Sequence, residues 1–306
     1  MINDTLIAMF FYRNKKVTER VTAEVFARKT TATLQHNALS SKEIGISGNN
    51  PNQKLIVSLT TYGSRIEGVY VTIESLFQQT HKADKIILWL SRDEFNASIL
   101  PETLKLAQAR GLEIGYCKDM LSYKKLLPTL QAYPNDLIIT ADDDILYPAN
   151  FIEKLYKSYM QNPDVIHCNL GHRITYKKSG RLEDYTKWGY VSPGEDVETF
   201  NLTGTGSLYF PDCFHDDVYK DNIFLETCPT TDDIWFKCMN VLNGVSARRI
   251  EHSNYFDMGH FKYFTLPGSQ ETALWRKNSD RKNGASSQLE NLCNRYPEFR
   301  AHIEKY

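Results

Sequence analysis

The stretch that decides the fold runs from Leu137 to Pro148 and reads LIITADDDILYP. Its first residues are apolar or β-favouring, which is typical of a central strand buried on both faces of a parallel sheet. Asp142, Asp143 and Asp144 then follow at the carboxyl end of that strand, where open α/β sheets place their ligand crevices. Adjacent carboxylates repel one another and are costly to bury unpaired. The cluster therefore needs a cation, hydrogen-bond donors or water around it.

A solvated acidic turn is the alternative interpretation of this cluster. In that case Asp144 or Asn150 would cap the helix that begins near Ala149, and no metal would be involved. The buried strand in front of the aspartates and the motifs further along the chain favour the ligand site.

Strands and helices alternate along the chain around this stretch. The predicted strands before it are Leu55–Thr60, Lys85–Leu90 and Leu112–Tyr116, and the predicted helices are Val69–Gln79, Pro101–Arg110 and Tyr123–Ala132. After it we expect a helix at Ala149–Gln161, a strand at Val165–Asn169, an irregular binding loop at Arg173–Phe200 and a helix at Asp233–Leu242. This order predicts an α/β protein with a mostly parallel, Rossmann-like sheet flanked by helices, whose strand ends gather in one crevice.

The two ends of the chain differ from this alternating region. Residues 1 to about 40 have helical periodicity, and the breaker cluster Ser47–Asn52 separates them from the rest. We therefore expect a helical N-terminal extension at 1–50, an α/β domain at 51–268 and a helical tail at 269–306. The apolar run Leu6–Tyr12 is too short for a membrane span and lacks the order of a signal peptide. A helix packed on its own domain is favoured, and peripheral association with the inner face of a membrane is the alternative.

Composition excludes some partners and compartments. The net charge of −1 gives no bulk attraction to nucleic acid, so we expect no nucleic-acid partner. None of the six cysteines forms a C-x-x-C pair, and their spacing suits neither a zinc site nor a disulfide scaffold. A reducing, cytoplasmic location is the simplest expectation.

Four motifs, in this order, resemble those of the GT-A class of nucleotide-sugar-dependent glycosyltransferases. They are Ser58–Tyr62 with Arg65 and the helix Val71–Thr80, then Thr140–Asp144, then Gly204–Gly206 with Tyr209, then Thr231–Trp235. The similarity is greatest to the bacterial family-2-like enzymes that build surface polysaccharides, and it spans about Lys54 to Ile250. It implies the GT-A fold and the metal-dependent transfer of a sugar from a nucleotide-sugar donor, a UDP-sugar by preference, to a hydroxyl of a saccharide acceptor.

The resemblance places the three aspartates at the family's D-x-D motif. It assigns Asp142 to the ribose and metal and Asp144 to a divalent cation, either Mn²⁺ or Mg²⁺, which both favour oxygen ligands. On an extended chain these two side chains project to the same side, about 7 Å apart, while Asp143 points away. The alternative register pairs Asp143 with Asp144. As a third ligand we expect a downstream histidine, His252 before His260.

The resemblance also assigns residues to the nucleotide and the sugars. For the nucleotide, the set comprises Thr60, Thr61, Tyr62, Arg65, Asp142 and Asp143 together with Lys124, which is preferred over Lys125. For the donor or acceptor sugar, it comprises Gly204, Gly206 and Trp235, although the glycines could simply form a turn and the tryptophan could belong to the core.

The acidic pair supplies the expected base of an inverting transfer. Such a reaction needs one carboxylate to accept the proton of the acceptor hydroxyl during a single in-line displacement. We expect Asp233 to be this base and Asp232 to orient the acceptor. The alternative is that Thr230, Thr231 or Asp232 merely caps the following helix.

Two other functions are compatible with parts of the pattern. A haloacid-dehalogenase-like phosphatase also carries Asp-x-Asp after a strand, but there the motif follows an early strand and a Thr or Val stands where this chain has Leu146. A non-catalytic module that binds sugars or nucleotides on the same fold is the second alternative.

Overall fold

The computed structural model of the protein describes residues 4–48, 52–194, 199–251, 265–266, 269–271, 278 and 284–304. The helices in these residues are α1 Asp4–Ser40, α2 Val69–Phe77, α3 Glu102–Ala109, α4 Leu127–Ala132, α5 Phe151–Gln161, α6 Asp221–Thr227, α7 Asp232–Leu242, α8 Ala285–Arg295 and α9 Pro297–Ile303. The strands are β1 Leu55–Thr60, β2 Lys85–Ser91, β3 Leu112–Cys117, β4 Leu137–Ala141, β5 Ile166–Cys168, β6 Gly171–Arg173, β7 Thr199–Asn201, β8 Ser207–Tyr209 and β9 Ala247–Arg249.

Seven of these strands form one sheet in the order β3-β2-β1-β4-β8-β5-β9. The pairs among β1 to β4 are parallel, as is the pair of β5 with β9. Strand β8 is antiparallel to both of its neighbours. The predicted α/β fold with a mostly parallel sheet is therefore confirmed.

Parallel pairing brings the first loop beside the aspartates. Strands β1 and β4 are buried along nearly their whole length, as their apolar sequences predict. Leu59 of β1 pairs with Ala141 of β4. The residues that follow each strand, Thr61 and Asp143 among them, therefore lie side by side at the carboxyl edge of the sheet.

The antiparallel strand β8 brings the glycine turn to the same edge. Leu208 pairs with Ile139, so the loop that precedes β8 lies against the residues that follow β4. The hydroxyl of Thr140 donates to the carbonyl of Thr203 at 2.7 Å and fixes this loop to the central strand. The direction of β8 thus places the third motif beside the second.

Two apolar cores cover the two faces of the sheet. Ile139 faces a core that also contains residues of α2, α3 and α5, whereas its neighbour Ile138 faces a core with α6 and α7. The second core includes Leu292 of α8 and Phe299 of α9. The described helices of the C-terminal tail therefore pack on the sheet domain.

The N-terminal helix α1 also packs on the domain through its second half. Ala27 and Leu34 are buried against a small cluster that includes Val71 and Leu146. Val17 and Val21, which precede this half of the helix, are exposed. None of the described helices has both the length and the apolar composition needed to cross a bilayer.

A buried ion pair attaches the segment after α1 to the sheet domain. Arg110 donates to the Glu74 carboxylate at 2.5 Å and to the carbonyl of Glu43 at 2.8 Å. The side chains of Arg110 and Glu74 are almost fully buried. These contacts of Arg110 fix the segment after α1, helix α2 and the end of α3 relative to one another.

Candidate active site

A cavity of about 730 Å³ opens at the carboxyl edge of the sheet. Most of the residues predicted from the sequence line it together: Thr60, Thr61, Tyr62, Arg65, Lys124, Asp142, Asp143, Asp144, Gly204, Asp232 and Asp233. The cavity is within the size range of small-molecule sites. His252 and His260 lie outside the described residues.

Asp143 is held on several sides by the loop after β1 and by α2. The Thr61 hydroxyl donates to Oδ2 of Asp143 at 2.5 Å, and the Thr72 hydroxyl donates to the Asp143 carbonyl at 2.9 Å. Nε of Arg65 donates to both carboxylate oxygens at 3.0–3.1 Å, and Nη2 adds a further contact. Asp143 is thus fixed to the loop after β1 and to α2, and it does not point away from Asp144 as an extended strand would require.

Asp144 shares the same guanidinium. Nη2 of Arg65 lies 2.9 Å from Oδ2 of Asp144, whose side chain is nearly buried. Burial and the neighbouring charge of Asp142 raise the pKa of Asp144. Arg65 therefore groups Asp143 with Asp144, while Asp142 is directed elsewhere.

Asp142 points to the opposite wall of the cavity, where it meets Lys125. Nζ of Lys125 donates to Oδ1 of Asp142 at 2.7 Å. The other oxygen occupies the space beside Gly204, because a Cβ placed on this glycine would lie 1.9 Å from Oδ2 of Asp142. Gly204 is therefore required to accommodate the Asp142 carboxylate.

The adjacent lysines Lys124 and Lys125 contact different carboxylates. Lys124 pairs with Asp119, which is partly exposed, whereas the ammonium of Lys125 lies buried between Asp142 and Asp232. Both lysines line the cavity. The preference for Lys124 as the nucleotide contact stays a prediction, and the central position of Lys125 was not predicted from the sequence. Two lysines in one short turn give no local signal that separates them.

The acidic pair lies at the start of α7 and is bound to the loop before β8. The backbone N–H of Thr203 donates to Oδ1 of Asp233 at 2.7 Å, and its hydroxyl donates to Oδ2 of Asp232 at 3.1 Å. Burial and the charge of Asp232 raise the pKa of Asp233. A carboxylate with a raised pKa is suited to accept a proton near neutral pH.

The capping alternative for this pair does not describe the observed contacts. Thr231 occupies the N-cap position of α7, but its hydroxyl donates to Gln288 at 2.8 Å, and no side-chain cap bond forms there within the described residues. Asp232 and Asp233 bond to Thr203, which belongs to a different segment. Their position is therefore that of a cavity wall.

Two residues assigned to the sugars are placed elsewhere. Trp235 is fully buried in the second core and donates its indole N–H to the Val218 carbonyl at 3.1 Å. Two residues turn an α-helix by about 200°, so Trp235 faces away from the cavity side of Asp233. Gly206 has φ of +101° and no room for a Cβ beside Phe151, so it forms the turn before β8 and is not among the described lining residues.

The described lining of the cavity has an excess of negative charge that a bound cation would reduce. The described lining contains seven carboxylate side chains, Glu94, Asp119, Asp142, Asp143, Asp144, Asp232 and Asp233, against three cations, Arg65, Lys124 and Lys125. With all of them ionised, this excess of negative charge would repel an anionic diphosphate. Within the described residues no three His, Cys, Asp or Glu side chains converge on one point. Asp142 and Asp144 could therefore supply only part of a coordination shell.

Comparison with known proteins gives likenesses of fold. No family model matches the chain, and no curated protein matches it either. Three of the solved structures that resemble it share little of its sequence. CMP:2-keto-3-deoxy-manno-octonic acid synthetase complexed with CTP is 13% identical over 65% of this chain and 90% of its own, with a TM-score of 0.39.

The other two structures are similarly distant. Mannosyltransferase PcManGT from Pyrobaculum calidifontis in complex with GDP-Man and Mn²⁺ is 15% identical over 48% of this chain and 46% of its own, with a TM-score of 0.31. A 4-diphosphocytidyl-2C-methyl-D-erythritol synthase is 11% identical over 74% of this chain and 98% of its own, with a TM-score of 0.38. These likenesses concern the arrangement of strands and helices alone.

Proposed function

We propose that the protein is a metal-dependent, inverting glycosyltransferase. It would transfer a sugar from a nucleotide-sugar, with a UDP-sugar preferred, to a hydroxyl of a saccharide acceptor in the synthesis of a cell-surface polysaccharide. We place it in the cytoplasm, with the inner face of the membrane as the alternative site of action. The observation that carries the proposal is that one cavity combines a threonine-rich loop, an aspartate cluster and a separate acidic pair in which the pKa of Asp233 is raised.

The donor side of the cavity consists of the loop after β1 and the three aspartates. Tyr62 is partly exposed beside Arg65 and offers a ring on which a base can stack. Asp144 and Asp142 are the residues that would hold Mn²⁺ or Mg²⁺. When bound there, the cation would neutralise the negative charge that develops on the leaving diphosphate.

The acceptor side consists of the acidic pair and the loop before β8. Asp233 would accept the proton of the attacking hydroxyl while that oxygen forms the new glycosidic bond. The N–H of Thr203 fixes the orientation of the Asp233 carboxylate. Asp232 is held by Lys125 and Thr203, and its charge contributes to the raised pKa of its neighbour.

The contacts in the cavity favour the transferase over the phosphatase and over the non-catalytic binding module. A phosphatase of the haloacid-dehalogenase type needs an aspartate that attacks phosphorus directly, whereas Arg65 engages Asp143 and Asp144, and Lys125 engages Asp142. A pure binding module would not require a second acidic pair with a raised pKa on the opposite wall. Both observations favour the transferase.

A thermal-shift screen with UDP-, GDP- and CMP-sugars, each with and without Mn²⁺, tests the proposal. We expect stabilisation by a UDP-sugar only when Mn²⁺ is present, by about 2.7 kcal/mol at a hundred times the dissociation constant. Product formation would then be measured with the nucleotide-sugar that stabilises most. If none of these compounds stabilised the protein, the proposed function would be wrong.

A further inference from the structure

Lys125 is the residue that joins the two halves of the cavity. Its ammonium donates to Asp142 at 2.7 Å and to the Thr203 hydroxyl at 3.2 Å, and it lies 3.3 Å from Oδ2 of Asp232. Its side chain is almost fully buried, so water is a poor substitute for these partners. One cation thus serves an aspartate after β4 and an aspartate at the start of α7.

We propose that Lys125 is a positioning residue whose buried ammonium is shared between Asp142 and Asp232, so that it fixes the donor side and the acceptor side in one geometry. This inference deepens the proposed function and rests on it for its catalytic part. When a donor complex engages Asp142, the ammonium is left to Asp232 and its effect on the acidic pair grows.

The groups around Asp233 make Lys125 the source of positive charge in this half of the cavity. Besides Asp232 and Lys125, the described ionisable side chains near Asp233 are Tyr123, Tyr185 and Tyr209, whose pKa values its charge raises. Burial raises the pKa of each of these tyrosines well above its usual range, so all three stay neutral. Lys125 therefore opposes the effects of burial and of Asp232 on the pKa of Asp233.

The shared contact is tested first by a stability cycle that requires no activity. Thermal midpoints would be measured for wild type, Lys125→Met, Asp232→Asn and the double variant. We expect Asp232→Asn to lower the midpoint in wild type and to raise it in Lys125→Met, because in that background it removes a buried carboxylate that has lost its counter-charge. An equal shift in both backgrounds would overturn the proposal.

A matched pair controls for the loss of any lysine. Lys118→Met and Asp221→Asn remove an exposed lysine and its partner, whose side chains are 69% and 41% exposed. Exposed ion pairs contribute little, so the Asp221→Asn shift should be nearly the same with and without Lys118. A reversal of sign in this pair as well would show that the cycle does not report a shared buried charge.

A second cycle keeps Lys125 in place and covers the case in which Lys125→Met does not fold. Asp142→Asn and Asp232→Asn would be combined. Each single variant leaves the ammonium with one carboxylate, whereas the double variant leaves it with none. We expect the midpoint to fall by more in the double variant than the two single shifts together, and additive shifts would refute the sharing.

The catalytic part is tested by the pH dependence of turnover. Lys125 lowers the pKa of Asp233, and removing a nearby opposite charge raises a carboxyl pKa by about one to three pH units. The acidic limb of the kcat profile of Lys125→Met should therefore move to higher pH by that amount. A purely structural defect would instead lower kcat by the same factor at every pH. If wild type transferred no sugar at all, the proposed function would fail, while the stability cycles would still decide whether the ammonium is shared.

Discussion

Nη2 of Arg65 lies 2.9 Å from Oδ2 of Asp144, so the guanidinium forms an ion pair with the carboxylate that we propose as a metal ligand. The same guanidinium bonds to Asp143. Arg65 and a divalent cation would therefore compete for Asp144. We expect Arg65 to give up this contact when the metal binds and to keep its contact with Asp143.

This competition predicts the behaviour of Arg65→Gln. Without the guanidinium, the cavity is more negative and Asp144 is more accessible to a cation, so Mn²⁺ alone should bind about tenfold more tightly, a gain of about 1.4 kcal/mol. The fold should lose about 3–5 kcal/mol of stability, because two nearly buried carboxylates lose the positive charge that pairs with them. Calorimetric titration with Mn²⁺ measures the first effect, and Arg92→Gln, at an exposed arginine, is the control. Unchanged Mn²⁺ affinity would place the metal away from Asp144.

Replacing Asp144 itself tests its role as a ligand. Asp144→Asn should lower turnover by at least about a hundredfold, because the charge stabilisation that a metal supplies is worth several kcal/mol. It should also weaken Mn²⁺-dependent nucleotide binding. Arg65 keeps Asp143 as a partner, so the variant should remain folded. Asp93→Asn, at an exposed position in the loop after β2, should behave as wild type. Full activity of Asp144→Asn would remove the basis of the metal assignment.

The proposed base is tested by separating binding from turnover. Asp233→Asn should bind the nucleotide-sugar and Mn²⁺ as wild type does, because its carboxylate bonds to Thr203 and not to the residues of the donor side. Turnover should fall by about 10²–10⁴, the usual contribution of a general base. Donor affinity and single-turnover rates would be measured on the same preparation. A fully active variant would contradict the inverting mechanism with Asp233 as base.

The raised pKa of Asp233 predicts opposite trends for activity and stability. Turnover should rise with pH through that pKa, since only the ionised carboxylate accepts a proton. Folding stability contributed by this group should fall with rising pH between about 4, the ordinary range of an aspartate, and the raised native value, because there the native state binds more protons than the unfolded state. Chemical denaturation across this pH range should show that the free energy of unfolding declines less with rising pH in Asp233→Asn than in wild type. An identical pH slope in both proteins would contradict the raised pKa.

The strands and helices that have a clear hydrophobic periodicity of their own could be predicted from the sequence. The apolar runs of β1, β2 and β4 and the helices between them carry their own periodicity, and parallel pairing then brings Thr61 and Asp143 together. The direction of β8 has no such signal, because its three residues are too few to reveal which neighbour they pair with. The meeting of Thr203 with Asp232 and Asp233 depends on that direction.

Side-chain orientation within the site was also beyond the sequence pattern. The strand rule put Asp142 and Asp144 on one side, but Arg65 draws Asp143 and Asp144 together and Lys125 draws Asp142 away. These contacts join residues far apart in the chain, so no local spacing encodes them. The resemblance assigns Trp235 to a sugar, with the core as the alternative, and the structure places this side chain in the core, on a different side of the helix from Asp233.

The close approach of Gly204 to Asp142 gives the sharpest steric prediction. A Cβ at position 204 would meet Oδ2 of Asp142 at 1.9 Å, so Gly204→Ala must displace that carboxylate from its place beside Lys125. We expect Mn²⁺-dependent donor binding to weaken by at least tenfold, with a smaller effect on the thermal midpoint because the neighbouring core is untouched. Gly189→Ala is the matched control, since a Cβ there meets no atom within 4 Å. Calorimetric titration of both variants with Mn²⁺ and a UDP-sugar measures the difference. Equal affinities would mean that the position of Asp142 does not determine donor binding.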